Sequence, residues 1–295
     1  MNAEPNYDVA HLGHVELFTN KPEASLDFFV NVIGLTESGR QGGSVYLRAW
    51  DDYEFHTLKL TASQTTGIGH VGYRTSSEQA LLRRASTIEA MGFGIGWADG
   101  DIGHGRAYRF RDPDDHVFEL YFETEKYVAP EAERPALKNQ AQRNRGCAVR
   151  RLDHLNLLAQ DVAVIRDFVP KALGSRITEQ IVLDSGEVAG CWFTVNNKSH
   201  DIAYTRDHTP SRGRFHHVTY AVDQREHVLQ AADVFLENGV FIETGPHKHA
   251  VQQTFLLYVY EPGGNRVEVA NAGARLVLAP DWKPITWTEA ERRKG

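Results

Sequence analysis

The sequence has few of the features that build disulfide-stapled or membrane-embedded proteins. Only two of its 295 residues are cysteines, Cys147 and Cys191, which are too few for a disulfide framework or a zinc ribbon. No run of about 18 or more apolar residues occurs, so no segment is expected to span a membrane. The first eight residues lack the basic and apolar stretches of a signal peptide, and a cytoplasmic protein is therefore expected.

Excess positive charge is also missing. The 32 Lys and Arg residues are outnumbered by 39 Asp and Glu residues, and the net charge is −7 with no basic block. Binding to nucleic acid depends on clustered positive charge, so nucleic acid is not expected as a partner. What remains is an ordinary apolar content of 41% on a chain long enough for one large or two ordinary domains.

The chain repeats one pattern of secondary structure, first between its halves and then within each half. A strand carrying His14 leads into an amphipathic helix that ends at a glycine, and a strand carrying His154 does the same. A second strand and helix follow in each half, around His70 and around His217. This pattern is typical of tandem duplication, and each unit is predicted to be a strand, a helix and then two or three strands.

The repeats divide the chain into two domains, a linker and a tail. We predict an N-terminal domain over residues 1–124 without a working metal, and a catalytic C-terminal domain over residues 151–271. The intervening residues 125–150 are polar with little apolar pattern, as expected of a linker. Residues 272–295 form a tail that is predicted to wrap on the C-terminal half. The predicted fold class is α+β.

Three strands of the C-terminal half each turn a metal-binding side chain away from their apolar face. Side chains alternate along a strand, so His217 lies opposite Val218, and His154 and Glu268 are placed in the same way. Two histidines and one carboxylate on one face of an octahedral metal leave three positions open, which suits Fe(II) and dioxygen chemistry. The alternative is three buried polar side chains that are satisfied by hydrogen bonds, because a chain with 14 histidines offers such trios by chance.

Five short stretches carry a recognisable pattern. They are Leu152-Asp153-His154, Ser199-His200-Asp201, Arg214 to Val218, Gly245 to His249, and Phe255 to Glu268. In this order they resemble the vicinal-oxygen-chelate superfamily, and within it the two-domain extradiol ring-cleavage dioxygenases of the catechol 2,3-dioxygenase type. The resemblance covers essentially the whole chain. It implies tandem βαβββ modules that form two half-open barrels, with the working metal in the C-terminal one.

The resemblance also implies roles for eight residues of the C-terminal half. They are His154, His217 and Glu268 as metal ligands, His200, His249 and Tyr258 as catalytic residues, and Asn156 and Trp192 as substrate-binding residues. The implied cofactor is Fe(II), with Mn(II) acceptable to the same ligands, and O2 is the co-substrate. His200 is expected to stabilise negative charge that develops on oxygen, and His249 and Tyr258 to hold substrate oxygens and move protons.

The implied activity is extradiol cleavage of catechol, beside the diol, to a 2-hydroxymuconic semialdehyde in the degradation of aromatic compounds. Thr244 stands where relatives that act on carboxylated catechols have a basic residue, which favours catechol or small alkyl- and halo-catechols. A homotetramer is expected from the family. The alternatives are another vicinal-oxygen-chelate metalloenzyme, a dioxygenase for bicyclic catechols of the 2,3-dihydroxybiphenyl type, and a non-enzymatic ligand-binding protein of the same fold.

Several of these residues keep a second interpretation. His247 competes with His249 for the same role, and Tyr258 and Trp192 could be plain core aromatics. His216 is expected to be structural and to face the packed side or an edge, because strand alternation turns it away from the face that carries His217.

The N-terminal half retains His14, His70 and Glu119 at the duplicated positions, so a second metal site there is chemically possible. We favour a remnant of duplication. Arg109 stands at the place that matches Tyr258 and would bring a positive charge close to the cation.

Overall fold

The computed structural model describes residues 7–128, 145–273 and 275–292. The central part of the predicted linker, residues 129–144, lies outside the described residues, as do residues 274 and 293–295 of the predicted tail. None of the helices in the described residues is long and apolar enough to cross a membrane.

The N-terminal half consists of two successive βαβββ units. In the first, helix α1 continues as one π-helical turn, Phe28–Ile33. The elements of the first unit are β1 (Val9–Thr19), α1 (Pro22–Asp27), β2 (Thr36–Gln41), β3 (Ser44–Arg48) and β4 (Leu58–Ala62). Those of the second are β5 (Gly67–Thr75), α2 (Glu78–Ala90), β6 (Gly94–Ala98), β7 (Ala107–Arg111) and β8 (Val117–Tyr121).

The C-terminal half repeats these two units and adds a short extension. The first unit comprises β9 (Arg151–Ala159), α3 (Val162–Leu173), β10 (Arg176–Val182), β11 (Val188–Thr194) and β12 (Ile202–Arg206). The second comprises β13 (Phe215–Ala221), α4 (Arg225–Glu237), β14 (Ile242–Lys248), β15 (Phe255–Tyr260) and β16 (Arg266–Ala270). The extension comprises β17 (Ile285–Thr288) and α5 (Glu289–Arg292).

Each half forms one mixed sheet, and the two sheets have the same strand order. The N-terminal order is β2-β3-β4-β1-β5-β8-β7-β6, and the C-terminal order, taken from β10, is β10-β11-β12-β9-β13-β16-β15-β14. Strand β17 extends the C-terminal sheet by pairing in parallel with β10. The predicted α+β fold of tandem βαβββ modules is therefore confirmed.

Local sequence signals place the helices that cover these sheets. Asp161 caps α3 by accepting hydrogen bonds from the backbone of Ala163 and Val164, at 2.9 and 3.2 Å. Gly174 ends this helix with φ 70°, a left-handed conformation that glycine adopts without steric cost. Ser77 caps α2 in the same way as Asp161 caps α3, through the backbone of Ala80.

The two halves share one hydrophobic core and a set of buried hydrogen bonds. The Tyr204 hydroxyl donates to Asp112 across the joint at 2.7 Å. His116 binds the same carboxylate at 2.9 Å and reaches the carbonyl of Arg214 with its other ring nitrogen at 3.0 Å. Because Arg214 immediately precedes β13, this contact ties the start of a site-bearing strand to the N-terminal half.

Candidate metal centre and substrate cavity

Three neighbouring strands bring two imidazoles and one carboxylate together. His154 lies on β9, His217 on β13 and Glu268 on β16, and β13 is hydrogen-bonded to both of the other strands. The Oε2 atom of Glu268 is 3.2 Å from Nε2 of His154 and 3.3 Å from Nε2 of His217. Ligand atoms about 2.0–2.2 Å from one metal ion are separated by roughly 3.0–3.5 Å, so this buried donor set fits a divalent ion.

Asp153 orients the first of these imidazoles. The Nδ1 atom of His154 is 2.9 Å from Asp153 Oδ2, a carboxylate oxygen, so this nitrogen is the donor and Nε2 faces the centre. Burial opposes ionisation of Asp153, but the charge of Lys198 and the bond to His154 outweigh it and lower its pKa. Burial likewise opposes charge on His154, whereas Asp153 and Glu268 raise its pKa to about 8.

A β-bulge places a second histidine beside His217. The register of β13 against β9 shifts between Phe215 and His217, so strict alternation fails at His216. The Nδ1 atoms of His216 and His217 are 2.6 Å apart, and His216 lines the cavity in front of the centre. The expectation that His216 faces the packed side is therefore wrong. Burial lowers the pKa of His217 to about 4, although Glu268 opposes this.

Glu268 is held by more than the two imidazoles. Thr219, two residues after His217 on the same strand face, donates its hydroxyl to Glu268 Oε2 and lies 2.9 Å from His154 Nε2. Burial opposes the charge on Glu268, yet its hydrogen bonds to His154 and His217 keep its pKa well below the ordinary value. The carboxylate is thus anionic, which is the form that binds metal.

His200 presents an unpaired ring nitrogen to the cavity. Its Nδ1 is 2.9 Å from Ser199 Oγ, while its Nε2 is buried and has no hydrogen-bond partner. Its ring centroid is 3.9 Å from that of His154. Burial lowers the pKa of His200 well below its ordinary value, and the charge of His154 adds to this effect. A neutral imidazole next to a metal centre can donate to, or accept from, a small oxygen-bearing ligand.

His249 and Tyr258 form a second polar pair on the cavity wall. His249 Nε2 and the Tyr258 hydroxyl are 3.3 Å apart, and Tyr258 stands opposite Glu268 in the β15–β16 ladder. Burial lowers the pKa of His249, whereas burial and then the charge of Glu268 raise the pKa of Tyr258 well above its ordinary value. His247 also lines the cavity, but the contact with Tyr258 belongs to His249.

A cavity of about 360 Å³ opens in front of these groups. Its volume lies at the small end of the range of small-molecule sites. Both predicted substrate-binding residues line it, Trp192 together with Ile181 and Val251 as an apolar wall, and Asn156 as a polar contact. The amide of Asn156 donates to Thr205 Oγ1 at 3.0 Å, which orients it. All eight predicted site residues therefore surround one space.

The structure adds groups that were not assigned to the site from the sequence. Thr219 could have been found by alternation, since it shares a strand face with His217. Arg266 lies on β16, two residues before Glu268, and its guanidinium carbon is 3.7 Å from the centroid of the Tyr258 ring. No sequence signal distinguishes this arginine. Arg292 reaches the cavity from α5, which only the folding of the tail brings there.

Comparisons with known proteins agree with this geometry. The profile of the Glyoxalase/Bleomycin resistance protein/Dioxygenase superfamily matches residues 11–120 and 151–269. The chain is 43% identical over 286 residues to a metapyrocatechase of Geobacillus stearothermophilus, which covers 96% of this chain and 87% of the relative. It is 38% identical to a manganese-dependent 2,3-dihydroxybiphenyl 1,2-dioxygenase of Geobacillus genomosp. 3, over 98% of this chain and 93% of the relative.

Solved structures give the same picture. A 2,3-dioxygenase of Pseudomonas sp. KL28 superposes with a TM-score of 0.87 at 29% identity, covering 95% of this chain and 98% of the other. A homoprotocatechuate 2,3-dioxygenase of Arthrobacter globiformis superposes with a TM-score of 0.84 at 26% identity, covering 99% and 88%. From its sequence match, its paired βαβββ units and its two-histidine, one-carboxylate centre, the chain belongs to the Glyoxalase/Bleomycin resistance protein/Dioxygenase superfamily.

Proposed function

We propose that this protein is an extradiol dioxygenase that cleaves catechol, or a small alkyl- or halo-catechol, beside its two hydroxyls to give a 2-hydroxymuconic semialdehyde. One observation carries the proposal. Two imidazoles and a carboxylate converge at the floor of a cavity whose walls also hold an unpaired imidazole and a histidine–tyrosine pair. The relatives named as metapyrocatechase and 2,3-dihydroxybiphenyl dioxygenase support the same reaction class.

We assign the metal to His154, His217 and Glu268. A bound Fe(II) or Mn(II) ion would supply coordination positions for the catechol oxygens and for dioxygen, and a path for electrons between them. The chain contributes the orientation of these ligands. Asp153 holds His154, Thr219 holds Glu268, and His216 accepts the Nδ1 proton of His217, so each inward atom offers a lone pair.

The remaining polar groups handle protons and charge. His200 donates from Nε2 to oxygen on which negative charge develops, because its Nδ1 can accept from Ser199. Tyr258 is a neutral phenol and donates to a substrate oxygen, while His249, 3.3 Å away, exchanges protons with it. The apolar wall around Trp192 packs against the aromatic ring and keeps water from it.

The reaction is tested with protein that is purified anaerobically and loaded separately with Fe(II) and with Mn(II). Catechol and air are then added, and oxygen consumption and the yellow ring-opened product are followed together. We expect one of the two metals to restore turnover with equal molar consumption of catechol and oxygen. A folded, metal-loaded protein that consumes no oxygen would contradict the proposal and favour a ligand-binding protein of the same fold.

Bicyclic catechols are the second candidate substrates, since one relative is named for 2,3-dihydroxybiphenyl. The two candidates differ in where the distal ring must go. Trp192 and Ile181 line the cavity, whose volume of about 360 Å³ lies at the small end for small-molecule sites and favours a single ring. We expect a higher kcat/KM for catechol and 4-methylcatechol than for 2,3-dihydroxybiphenyl, and the opposite order would assign the protein to the bicyclic class.

The remaining assignments concern the whole chain. We place the catalytic domain at residues 151–271 and the N-terminal domain at residues 1–124, with the linker 125–150 between them. Limited proteolysis followed by mass spectrometry tests these bounds. A homotetramer and a cytoplasmic location complete the proposal, and light scattering and cell fractionation test them.

A further inference from the structure

A second cluster of metal-binding side chains lies inside the N-terminal sheet. His14 on β1, His70 on β5 and Glu119 on β8 are all buried, with at most 4% of any of these residues exposed. Nε2 of His14 is 3.0 Å from Nε2 of His70 and 3.2 Å from Oε1 of Glu119, and His70 Nε2 is 3.5 Å from the same oxygen. These separations match the roughly 3.0–3.5 Å between ligands that share one divalent ion.

The cluster has the supporting contact expected behind a metal-binding histidine. Nδ1 of His70 lies 2.8 Å from Oε2 of Glu16. A carboxylate oxygen only accepts, so this nitrogen is the donor and Nε2 of His70 faces His14 and Glu119. Asp153 supports His154 in the same way in the C-terminal half, and such carboxylate–histidine contacts accompany most metal-bound histidines.

Two buried polar atoms of this cluster lie close together without a hydrogen bond. Nδ1 of His104 is 2.9 Å from the carbonyl oxygen of Gly105, which makes Nδ1 the donor and directs Nε2 towards the cluster. That Nε2 is 3.3 Å from Oε1 of Glu119, and neither atom has a hydrogen-bond partner. A proton or a metal ion between these two atoms would satisfy both, and a divalent ion held by His14, His70 and Glu119 would lie next to His104 Nε2 as well.

Arg109 does not take the place of that cation. It stands opposite Glu119 in the β7–β8 ladder, as Tyr258 stands opposite Glu268. Its Nε binds Oε2 of Glu119 at 3.0 Å, and its side chain is 38% exposed. The other oxygen, Oε1, is the one near the three imidazoles, so Arg109 binds the carboxylate through the oxygen that the imidazoles leave free.

Aromatic and imidazole rings cover the inward side of this cluster. The ring centroid of His14 is 4.9 Å from that of His56 and 5.2 Å from that of His104, and the Tyr121 ring is 4.7 Å from His104. The Tyr121 hydroxyl is itself anchored to Glu54 at 2.5 Å. With these rings packed against the ligands, we infer that an ion in this position would be structural.

We propose that the N-terminal half binds a second divalent transition-metal ion, held by His14, His70 and Glu119 next to His104, and that this ion stabilises the fold without taking part in turnover.

The test uses Co(II) alone as the probe, on full-length protein in which the C-terminal metal site has lost one of its three ligands through His217→Ala. Stripped protein of proven native circular dichroism is dialysed against Co(II), and its metal content and melting temperature are measured. We expect one equivalent of bound Co(II) and a higher melting temperature with the metal than without it. Adding Glu119→Gln should abolish both effects.

The matched control is His217→Ala combined with His11→Gln, since His11 is a half-exposed histidine on the same strand that pairs with Glu54 outside the cluster. This variant should bind Co(II) like its parent. If Glu119→Gln does not fold, His14→Gln replaces it. The metal content of the wild-type protein is an independent test, because the proposal predicts two ions per chain and a metal-free N-terminal cluster predicts one. Absence of Co(II) from folded His217→Ala protein, or binding that survives both cluster substitutions, would overturn the proposal in favour of a metal-free histidine–glutamate cluster.

Discussion

The two halves of this molecule keep the same strand order and the same trio of ligand types, but they fill the space in front of the trio differently. The residue before the first histidine is Gly13 in one half and Asp153 in the other. The second residue after the glutamate is Tyr121 in one and Ala270 in the other. A side chain at Gly13 would overlap the Tyr121 hydroxyl, so glycine there lets the tyrosine lie across the cluster.

In the C-terminal half the same two positions are occupied differently. Asp153 binds His154 through Nδ1, and the small Ala270 is buried against Leu256 and Tyr258, of which Tyr258 lines the cavity. The identity of the three ligands therefore does not decide whether a half of this molecule can be catalytic. The side chains around the two trios differ in size, and these two positions are one such difference.

The largest expected effect comes from removing one ligand in each half. His217→Ala should abolish turnover, because two ligands do not hold the metal in an open site. His70→Ala, the matched change, should leave turnover of the folded protein measurable. Metal content and initial rates with catechol check both variants. Equal loss of turnover from the two changes would contradict the proposal that only the C-terminal metal site is catalytic.

The unpaired imidazoles give the next comparison. His200→Phe should retain the C-terminal metal but lower kcat by roughly 100-fold, since one charge-stabilising donor is lost. His56 precedes β4 as His200 precedes β12, and His56→Phe should have little effect on kcat. Steady-state rates at saturating oxygen, together with metal analysis, check this pair. A metal-free His200→Phe protein would instead make His200 part of the metal-binding framework.

The cavity of the C-terminal half can be changed without touching its metal ligands. Thr244→Lys should raise kcat/KM for a carboxylated catechol by about tenfold, because the new ammonium group pairs with the carboxylate. Thr244→Met, of similar length but without charge, is the control. An equal response to the two substitutions would show that length rather than charge sets this preference.

Glu119→Gln should have a small effect on turnover, because the Glu119 carboxylate lies in the N-terminal half, away from the C-terminal cavity. The rate with catechol should stay close to that of the wild type at low temperature, while the second equivalent of metal is lost. Initial rates and metal content measured on the same sample check this outcome. A large loss of activity would mean that the N-terminal cluster takes part in catalysis.

The smallest effect concerns the joint between the halves. Burial opposes charge on His116, but its bond to Asp112 and the charge of that carboxylate raise its pKa above the ordinary 6.5. The folded state binds this proton more tightly than the unfolded state does. The resulting gain in the free energy of unfolding is complete below the ordinary pKa and is lost as pH rises through the raised pKa. The difference in the free energy of unfolding between wild type and His116→Gln should shrink over that range, as denaturant titrations at several pH values will show. A difference independent of pH would rule out this origin.

The sequence predicted a large part of the fold because its signals are local. The strands predicted to carry His154 and His217 are observed as Arg151–Ala159 and Phe215–Ala221, and each leads into a helix as expected. Capping residues, glycine stops and alternation act over a few residues and do not depend on the partner strand. The eight predicted site residues gather around one space, and their individual roles stay predictions.

His216 shows where local reasoning fails. Alternation predicted that it turns away from His217, but the bulge in β13 brings both rings to the cavity side. The bulge depends on how β13 is aligned with β9, and this register cannot be predicted from the sequence of β13 alone.

The sequence by itself determined the duplicated order of elements and the ligand types on three adjacent strands, because both depend on short-range pattern. Tertiary structure alone decided which side chains surround the ligand trio in each half. His104 reaches Glu119 from a loop, Arg109 turns its charge to the outer carboxylate oxygen, and Arg292 enters the cavity from the tail. Each of these placements depends on contacts between segments distant in the chain, and on the volume that neighbouring side chains leave free.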